Sequence, residues 1–460
     1  MTAALCALAS ALLLALAHGT PNAWPLAWVA PVPVLWLAFG ATRARPVAAS
    51  AFVAYALGQL GMLWPYFEPA GAVVLAAAIG PAIAFALVVL AARLVDRRTS
   101  SPALAAPTFA ALWTGWEWTS ATVSPHGTFG AWAYSQMSAP VLVQGASVLG
   151  LWIVSFTIAC VAAGIALSLR RRQALPALVA LAVLVPSIVF GAWRVGQREP
   201  QSVRVAASAR DHDDRAEPEA MARAQAAEAR RLAARGATVI VFPEKGAILP
   251  EVRRDAALAP LVAAVRETGA TLATGFDQTG AQRRNVAYVV ARDGRVHGYT
   301  KRHHIPGLES GFTVGDGAGL LGGGRAVAIC KDLDFQRTLR GDATAGGVGL
   351  MLVPAWDFHA DGWLHARMAL MRSVEGGYAM VRAAAGGLVT VSDARGRVIA
   401  SDQSERDAYA SVIADVPIGT GRTPYLRIGD AFAWLAGAAG LLVVLWSAAR
   451  AERSARRAPS

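Results

Sequence analysis

Residues 1–193 form a succession of apolar runs separated by short loops, and this pattern commits that part of the chain to a membrane. The runs lie at about 2–18, 24–41, 47–64, 71–93, 103–119, 139–168 and 174–193, with an eighth at 428–448. A helix that crosses a bilayer needs about 20 mostly apolar residues, so the runs predict about eight transmembrane helices. The first run ends in an Ala-Leu-Ala step before His18, as a signal peptide does. No Lys or Arg precedes it, however, and a second apolar run follows within six residues, so it predicts a retained helix.

Charge is distributed accordingly. Only 16% of the 460 residues are charged, against about 25% in an ordinary soluble chain, and most of those lie between 194 and 427. The net charge of +12 suggests nucleic acid as a partner. Yet the arginines form no stripe interleaved with aromatics; they cluster at the ends of apolar runs (Arg43 and Arg45; Arg93, Arg97 and Arg98; Arg170 to Arg172; and the 449–460 tail). Loops after the second, fourth and sixth runs are basic, whereas "HGTPNAW" and "WPYFEPAG" carry no Lys or Arg. By the positive-inside rule both termini are cytoplasmic and the polar block is extracytoplasmic. In a bacterium with two membranes this places the protein in the inner membrane with the polar block facing the periplasm.

Few ionisable groups fall inside the apolar runs, which argues against an ion pump. Glu117, in "WTGWEWTS", is either an intramembrane functional acid or an interfacial residue beside Trp113, Trp116 and Trp118. The three cysteines, Cys6, Cys160 and Cys330, give neither a disulfide framework nor a metal spacing.

In the polar block, short β-rich runs alternate with helical patterns. "VRVAAS", "ATVIVFPE", "TLATGFD", "NVAYVVA", "RVHGYTK", "AVAICKD", "VGLMLVPAWD", "YAMVRAAA", "LVTVSD" and "ASVIADV" read as strands. Amphipathic patterns at "PEAMARAQAAEARRLAARG", "EVRRDAALAPLVAAVRETG" and about 361–376 read as helices. This is a mixed α/β layered fold. Three strand ends carry reactive groups: Glu244, Lys301 and Cys330. Singly, each has an ordinary reading, a solvated charge or a small buried thiol. Together they form a chemical set, with a thiol as nucleophile, a carboxylate as base and an ammonium that lowers the thiol pKa and stabilises an oxyanion. That set suits acyl transfer through a thioester.

At these residues the chain resembles the nitrilase superfamily, through "FPE", "YTKRHHIPGLE" and "AICKDLDF" in that order, and through "MRSVEGGYAMVRAAAGG" beyond them. The resemblance implies an αββα sandwich in which Glu244 is the base, Lys301 the electrophilic cation and Cys330 the nucleophile. Glu309 matches a second glutamate of the superfamily, and Lys331 and Asp332 follow the nucleophile as supporting residues. Seven apolar runs before such a domain and one after it resemble the apolipoprotein N-acyltransferase family, as do "PLAWVAPVPVLWLAF" and "ALWTGWEWTS…GTFGAWAYSQMSAPVLVQGASVLGLWIVSF".

The family resemblance implies four regions: a membrane domain at 1–193, a nitrilase-like catalytic domain at 200–420, a C-terminal span at 428–448 and a cytoplasmic tail. It also implies transfer of an acyl chain from a phospholipid, through a cysteine thioester, to the N-terminal amine of a diacylglyceryl-modified lipoprotein, without a metal or organic cofactor. The chain departs from the family pattern at Lys331-Asp332, where Tyr-Glu is usual; at "IPGLE"; in lacking tryptophan between Trp193 and Trp356; and at "LVPAWDFHADGW". These departures keep open an amidase or N-acyltransferase that acts on a different amine or amide. His303, His304, His359 and His365 with Asp357 can be drawn as a metal site, but they lack a tight ligand spacing. The Gly-rich stretch 307–325 is either a lid over the thiol or a plain connection.

Overall fold

The computed structural model describes residues 1–99, 101–197, 199, 201–211, 216–404 and 408–457. Residues 200, 212–215 and 405–407 of the expected catalytic domain, and the last three of the expected tail, lie outside the described residues. The chain forms two compact units. One is helical, comprising Met1–Val123, Thr128–Val195 and Ile428–Ser460; the other is mixed, comprising Gly196–Arg427 together with Ser124–Gly127.

In the helical unit, the apolar runs become helices Thr2–His18, Val32–Gly40, Ala44–Leu63, Val74–Thr99, Pro102–Val123, Leu151–Arg171, Leu175–Gly196 and Ala431–Arg457. Among the described residues, five segments are long and apolar enough to cross a membrane: Ala44–Tyr66, Gly71–Thr99, Leu151–Arg171, Leu175–Gly196 and Ala431–Arg450. Two runs differ from their expected form. The 24–41 run is a 3-10 turn, Trp24–Trp28, followed by a short helix, because Pro25, Pro31 and Pro33 limit its helical hydrogen bonding. The 139–168 run is helical without interruption only from Leu151. Before it lie a 3-10 turn at Trp132–Ser138 and single turns Pro140–Val143 and Ala146–Leu149, which end at Gly150 with φ +72°.

Irregular backbone among apolar helices needs internal partners. Glu117 supplies one: its Oε1 accepts the Trp132 N–H at 2.8 Å and the Trp113 indole N–H at 3.2 Å. The Ser155 hydroxyl accepts the Ala133 N–H at 3.1 Å. Glu117 is buried and so is Trp113, so the interfacial reading of this acid gives way to a structural one. Helices Pro102–Val123 and Ala431–Arg457 meet at a glycine pair, where a Cβ on Gly115 would lie 2.8 Å from Gly437 Cα. Small residues let helices approach closely in this way.

The mixed unit is built on two sheets. The first joins β1 (Ser202–Ala209), β2 (Val239–Val241), β3 (Ile248–Pro250), β4 (Thr271–Thr279), β5 (Arg284–Val290), β6 (Val296–Thr300) and β13 (Ala410–Pro417), in the order β13-β1-β2-β4-β5-β6 with β3 beside β4. The second has the order β12-β11-β10-β9-β8-β7, comprising β7 (Leu320–Gly322), β8 (Arg325–Val327), β9 (Leu350–Trp356), β10 (Ala379–Ala385), β11 (Leu388–Ser392) and β12 (Val398–Gln403). β1 pairs antiparallel with β13 from Ser202↔Pro417 to Ala209↔Ala410, which ties the start of the unit to its end.

Strand alternation sorts the side chains. Val205, Val241, Ala273 and Val289 share one core with Val327, Leu352, Val381 and Val391 of the second sheet. Their neighbours Ala206, Ile240 and Leu272 turn the other way and meet helices Pro218–Ala234 and Arg254–Thr268. Helices Gln336–Gly346 and Gly362–Gly376 pack on the second sheet. The helix at 336–346 and strands β3, β7 and β12 were not legible in the sequence pattern; the three strands lack a long alternating apolar run.

Candidate active site

Each of the three expected catalytic residues stands just beyond a strand, although at different distances. Lys301 follows β6 directly, whereas Glu244 and Cys330 lie three residues past β2 and β8. The segment carrying Glu244 passes so close to β4 that a Cβ on Gly275 would lie 2.5 Å from Glu244 Cα. Lys301 N–H bonds the Asn285 carbonyl at 2.9 Å, which registers the lysine against β5.

Three of these side chains meet in a buried cluster. Lys301 Nζ donates to Glu244 Oε1 at 2.8 Å and to Glu309 Oε2 at 2.9 Å, and all three residues are almost without solvent exposure. Asn285 Nδ2 donates to Glu244 Oε1 at 2.5 Å and to Glu309 Oε1 at 2.7 Å. Lys245 Nζ lies 3.5 Å from Glu309 Oε1 and 4.5 Å from the Trp356 ring centroid. Two carboxylates are thus balanced by two ammonium groups, as buried charges require. Burial opposes the Lys301 ammonium, but Glu244 and Glu309 outweigh it and hold its pKa above the ordinary lysine value. Burial likewise works against the Glu309 carboxylate, yet Lys301 and Lys245 prevail and bring it to about 2. Lys301 therefore stays a cation and Glu309 an anion at neutral pH.

Cys330 opens a 3-10 turn, Cys330–Asp334, with φ +38°, a left-handed conformation unfavourable for a residue with a Cβ. The turn is held by Asp332, whose Oδ2 accepts the Ile329 N–H at 3.1 Å and the Tyr299 hydroxyl at 2.7 Å. Its Oδ1 accepts the backbone N–H groups of Arg302 at 3.1 Å and His303 at 2.9 Å. One buried carboxylate thereby binds the cysteine turn to the lysine loop. The Cys330 thiol donates to the Trp356 carbonyl at 3.3 Å. Burial, then Glu244, push the thiol well above its ordinary pKa, while Lys301 acts in the opposite direction. The expected lowering by the ammonium is present but outweighed, so the resting thiol is protonated and its activation requires a base.

Lys331 is not brought to this cluster. Its Nζ pairs with Asp334 Oδ2 at 3.1 Å and His126 Nδ1 at 3.4 Å. The four histidines also go to separate partners. His303 pairs with Asp332, His365 with Asp361 and His359 with Asp211, while His304 packs edge-on to Phe312. Among the described residues, no group of three or more His, Cys, Asp or Glu side chains is placed to hold a metal ion. Sequence reasoning missed Asn285 and Lys245, which had a weak signal as polar residues flanking buried apolar stretches; Trp356 entered only within a stretch noted for its departure from the family pattern.

Apolar helices long enough to cross a membrane, followed in the same chain by a two-sheet α/β unit with buried acids and a lysine clustered past its strands, define a class: membrane proteins that carry a mixed α/β unit. Residues 10–164 match the sequence model described as the apolipoprotein N-acyltransferase N-terminal domain. Curated relatives named apolipoprotein N-acyltransferase include one from Geobacter metallireducens, 25% identical over 95% of this chain and 94% of its own. Another, from Azotobacter vinelandii, is 27% identical over 99% of this chain and 96% of its own. A solved Nesterenkonia amidase of the nitrilase superfamily is 22% identical, with a TM-score of 0.41 over 51% of this chain and 97% of its own. The chain is thus similar to apolipoprotein N-acyltransferases, in its N-terminal part by the domain model and along most of its length by these relatives.

Proposed function

We propose that this protein is a bacterial membrane acyltransferase that moves a fatty acyl chain from a phospholipid, through a thioester on Cys330, to the N-terminal amine of a lipoprotein. The observation that carries this reading is the buried Glu244–Lys301–Glu309 contact, 2.8 and 2.9 Å, near the Cys330 thiol, in a chain that matches lipoprotein acyltransferases along nearly its whole length. The mixed unit is then a nitrilase-like αββα sandwich set among about eight membrane helices. The arginine clusters at the loops support a periplasmic position for it, with both termini cytoplasmic.

In the first half-reaction Glu244 takes the Cys330 proton as sulfur attacks the ester carbonyl. Lys301, kept cationic by the two glutamates, stabilises the oxyanion. The ester C–O bond breaks, the leaving alkoxide takes the proton from Glu244, and a lysophospholipid departs. In the second half, the acceptor amine attacks the thioester. The C–N bond forms, the C–S bond breaks, and the amine proton passes through Glu244 to the sulfur. Both substrates carry acyl chains, so anchoring them in one bilayer raises their effective concentration at the thiol. The two steps predict ping-pong kinetics.

Incubation of the full-length protein with phospholipid is expected to leave a hydroxylamine-labile acyl group on the wild type and none on Cys330→Ala. Persistence of that label on the variant would remove the thioester. Lipoprotein as the acceptor is tested in a strain depleted of its own acyltransferase, by mass spectrometry of N-terminal lipopeptides. Failure to restore triacylation, with the thioester intact, would favour a different amine acceptor.

A further inference from the structure

A second buried ion pair lies beside Cys330, and the reaction above does not use it. Arg382, in β10, donates to Asp357 Oδ1 at 2.5 Å and to the Leu388 carbonyl at 3.2 Å. Both members of the pair are at most 1% exposed. Asp357 follows Trp356, whose carbonyl holds the thiol. The Asp357 N–H bonds the Ala385 carbonyl at 2.9 Å, so the peptide unit whose carbonyl accepts the thiol is itself anchored to β10. Room for the carboxylate is provided by Gly387, where a Cβ would lie 2.0 Å from Asp357 Oδ2. Among the described residues that oxygen is buried without a hydrogen-bond partner. Replacing a buried ion pair with apolar residues is often neutral or stabilising, so stability alone does not account for this one.

We propose that Asp357 and Arg382 are positioning residues that hold the Trp356 carbonyl on the Cys330 thiol and, as a balanced pair, set the charge the thiol experiences. The proposal rests on the reading of Cys330 as nucleophile, but its test requires only the thiol. The charges acting on that thiol come from Glu244, Lys301, Asp357 and Arg382. On its own turn, Asp332 is committed to Tyr299 and His303, and Lys331 to Asp334 and His126. The His365–Asp361 pair stands behind Asp357 and acts on it. Asp357 raises the thiol pKa and Arg382 lowers it, so loss of either alone has a sign.

The experiment is iodoacetamide alkylation of the full-length protein in detergent at pH 8, read by mass spectrometry on the Cys330 peptide. Asp357→Asn leaves the guanidinium unbalanced, and alkylation is expected to be about tenfold faster, the effect of about one pKa unit. Arg382→Met is expected to be no faster than wild type. The double variant is expected to return close to the wild-type rate. A merely structural role would loosen the site and accelerate both single variants alike. The proposal is overturned if Asp357→Asn is not accelerated, if Arg382→Met is, or if the double variant keeps the acceleration. Either single variant decides the question when only one folds. Loss of the acyl label in the thioester experiment with these alkylation results unchanged would remove the nucleophile reading and leave the pair's effect on the thiol intact.

Discussion

The two units treat buried charge in opposite ways. In the helical unit the buried ionisable side chains are few and mostly serve the backbone or a single partner. Arg93 donates to the carbonyls of Ala41 and Thr42, each at 2.9 Å; Asp96 receives Arg171 at 2.7 Å; Glu117 receives the Trp132 N–H. In the mixed unit the sheet ladders satisfy most of the backbone, and buried charges gather instead into side-chain networks past the strands. Lys301 touches two carboxylates, and Asn285 bridges the same two. A fold that meets its backbone demand internally leaves carboxylates and ammonium groups available for chemistry, whereas a broken apolar segment uses its carboxylate to complete the backbone.

The sharpest way to break this contrast is Lys301→Met. If the mixed unit's charges serve chemistry, acyl-enzyme formation falls by roughly 10³-fold, the scale of losing a preorganised oxyanion donor. A single-turnover assay with phospholipid checks it, and a loss of stability with acylation intact would erase the distinction between the units.

Next in size is Glu117. Glu117→Leu strands the buried Trp132 N–H and is expected to cost about 1–3 kcal/mol, read as a lower thermal midpoint in detergent. Glu117→Gln keeps an acceptor and is expected to lose less. Equal losses would show that charge rather than acceptance matters there.

A further test is a pH window. His365, buried with Asp361 at 2.9 Å, has its pKa raised to about 9, because Asp361 and Asp357 outweigh the burial that would lower it. A raised folded-state pKa contributes stability that is complete below the unfolded value of about 6.5 and is lost as pH rises through about 9. Thermal midpoints are therefore expected to decline between those limits, and His365→Gln to flatten the decline. An unchanged slope in the variant would detach this pair from the network.

Much of this was legible before any fold was known. Glu244, Lys301 and Cys330 announce themselves as reactive groups beyond apolar β-rich runs, because strand ends are where a layered fold exposes its chemistry. Glu309 came only by resemblance. Asn285 was invisible: it looked like the first residue of a strand, and its bridge between two glutamates depends on β5 lying between β4 and β6. The partners of Lys331, expected as a supporting residue, were likewise not legible: a tight turn sends neighbouring side chains in different directions, and this one goes to Asp334 and His126.

Sequence by itself determined the division into an apolar helical part and a polar α/β part, since run length and charge spacing are local properties that bilayers and strands read directly. It also determined which residue types supply the acid, the cation and the thiol. Only the tertiary structure decided that the run before Leu151 is broken and that Glu117 closes its backbone. It alone decided that Glu244, Lys301 and Glu309 share one buried contact, and that a second ion pair adjoins the thiol through Trp356. Those outcomes depend on sheet register and on how polar groups find partners once water is excluded, and no short stretch of the chain encodes them alone.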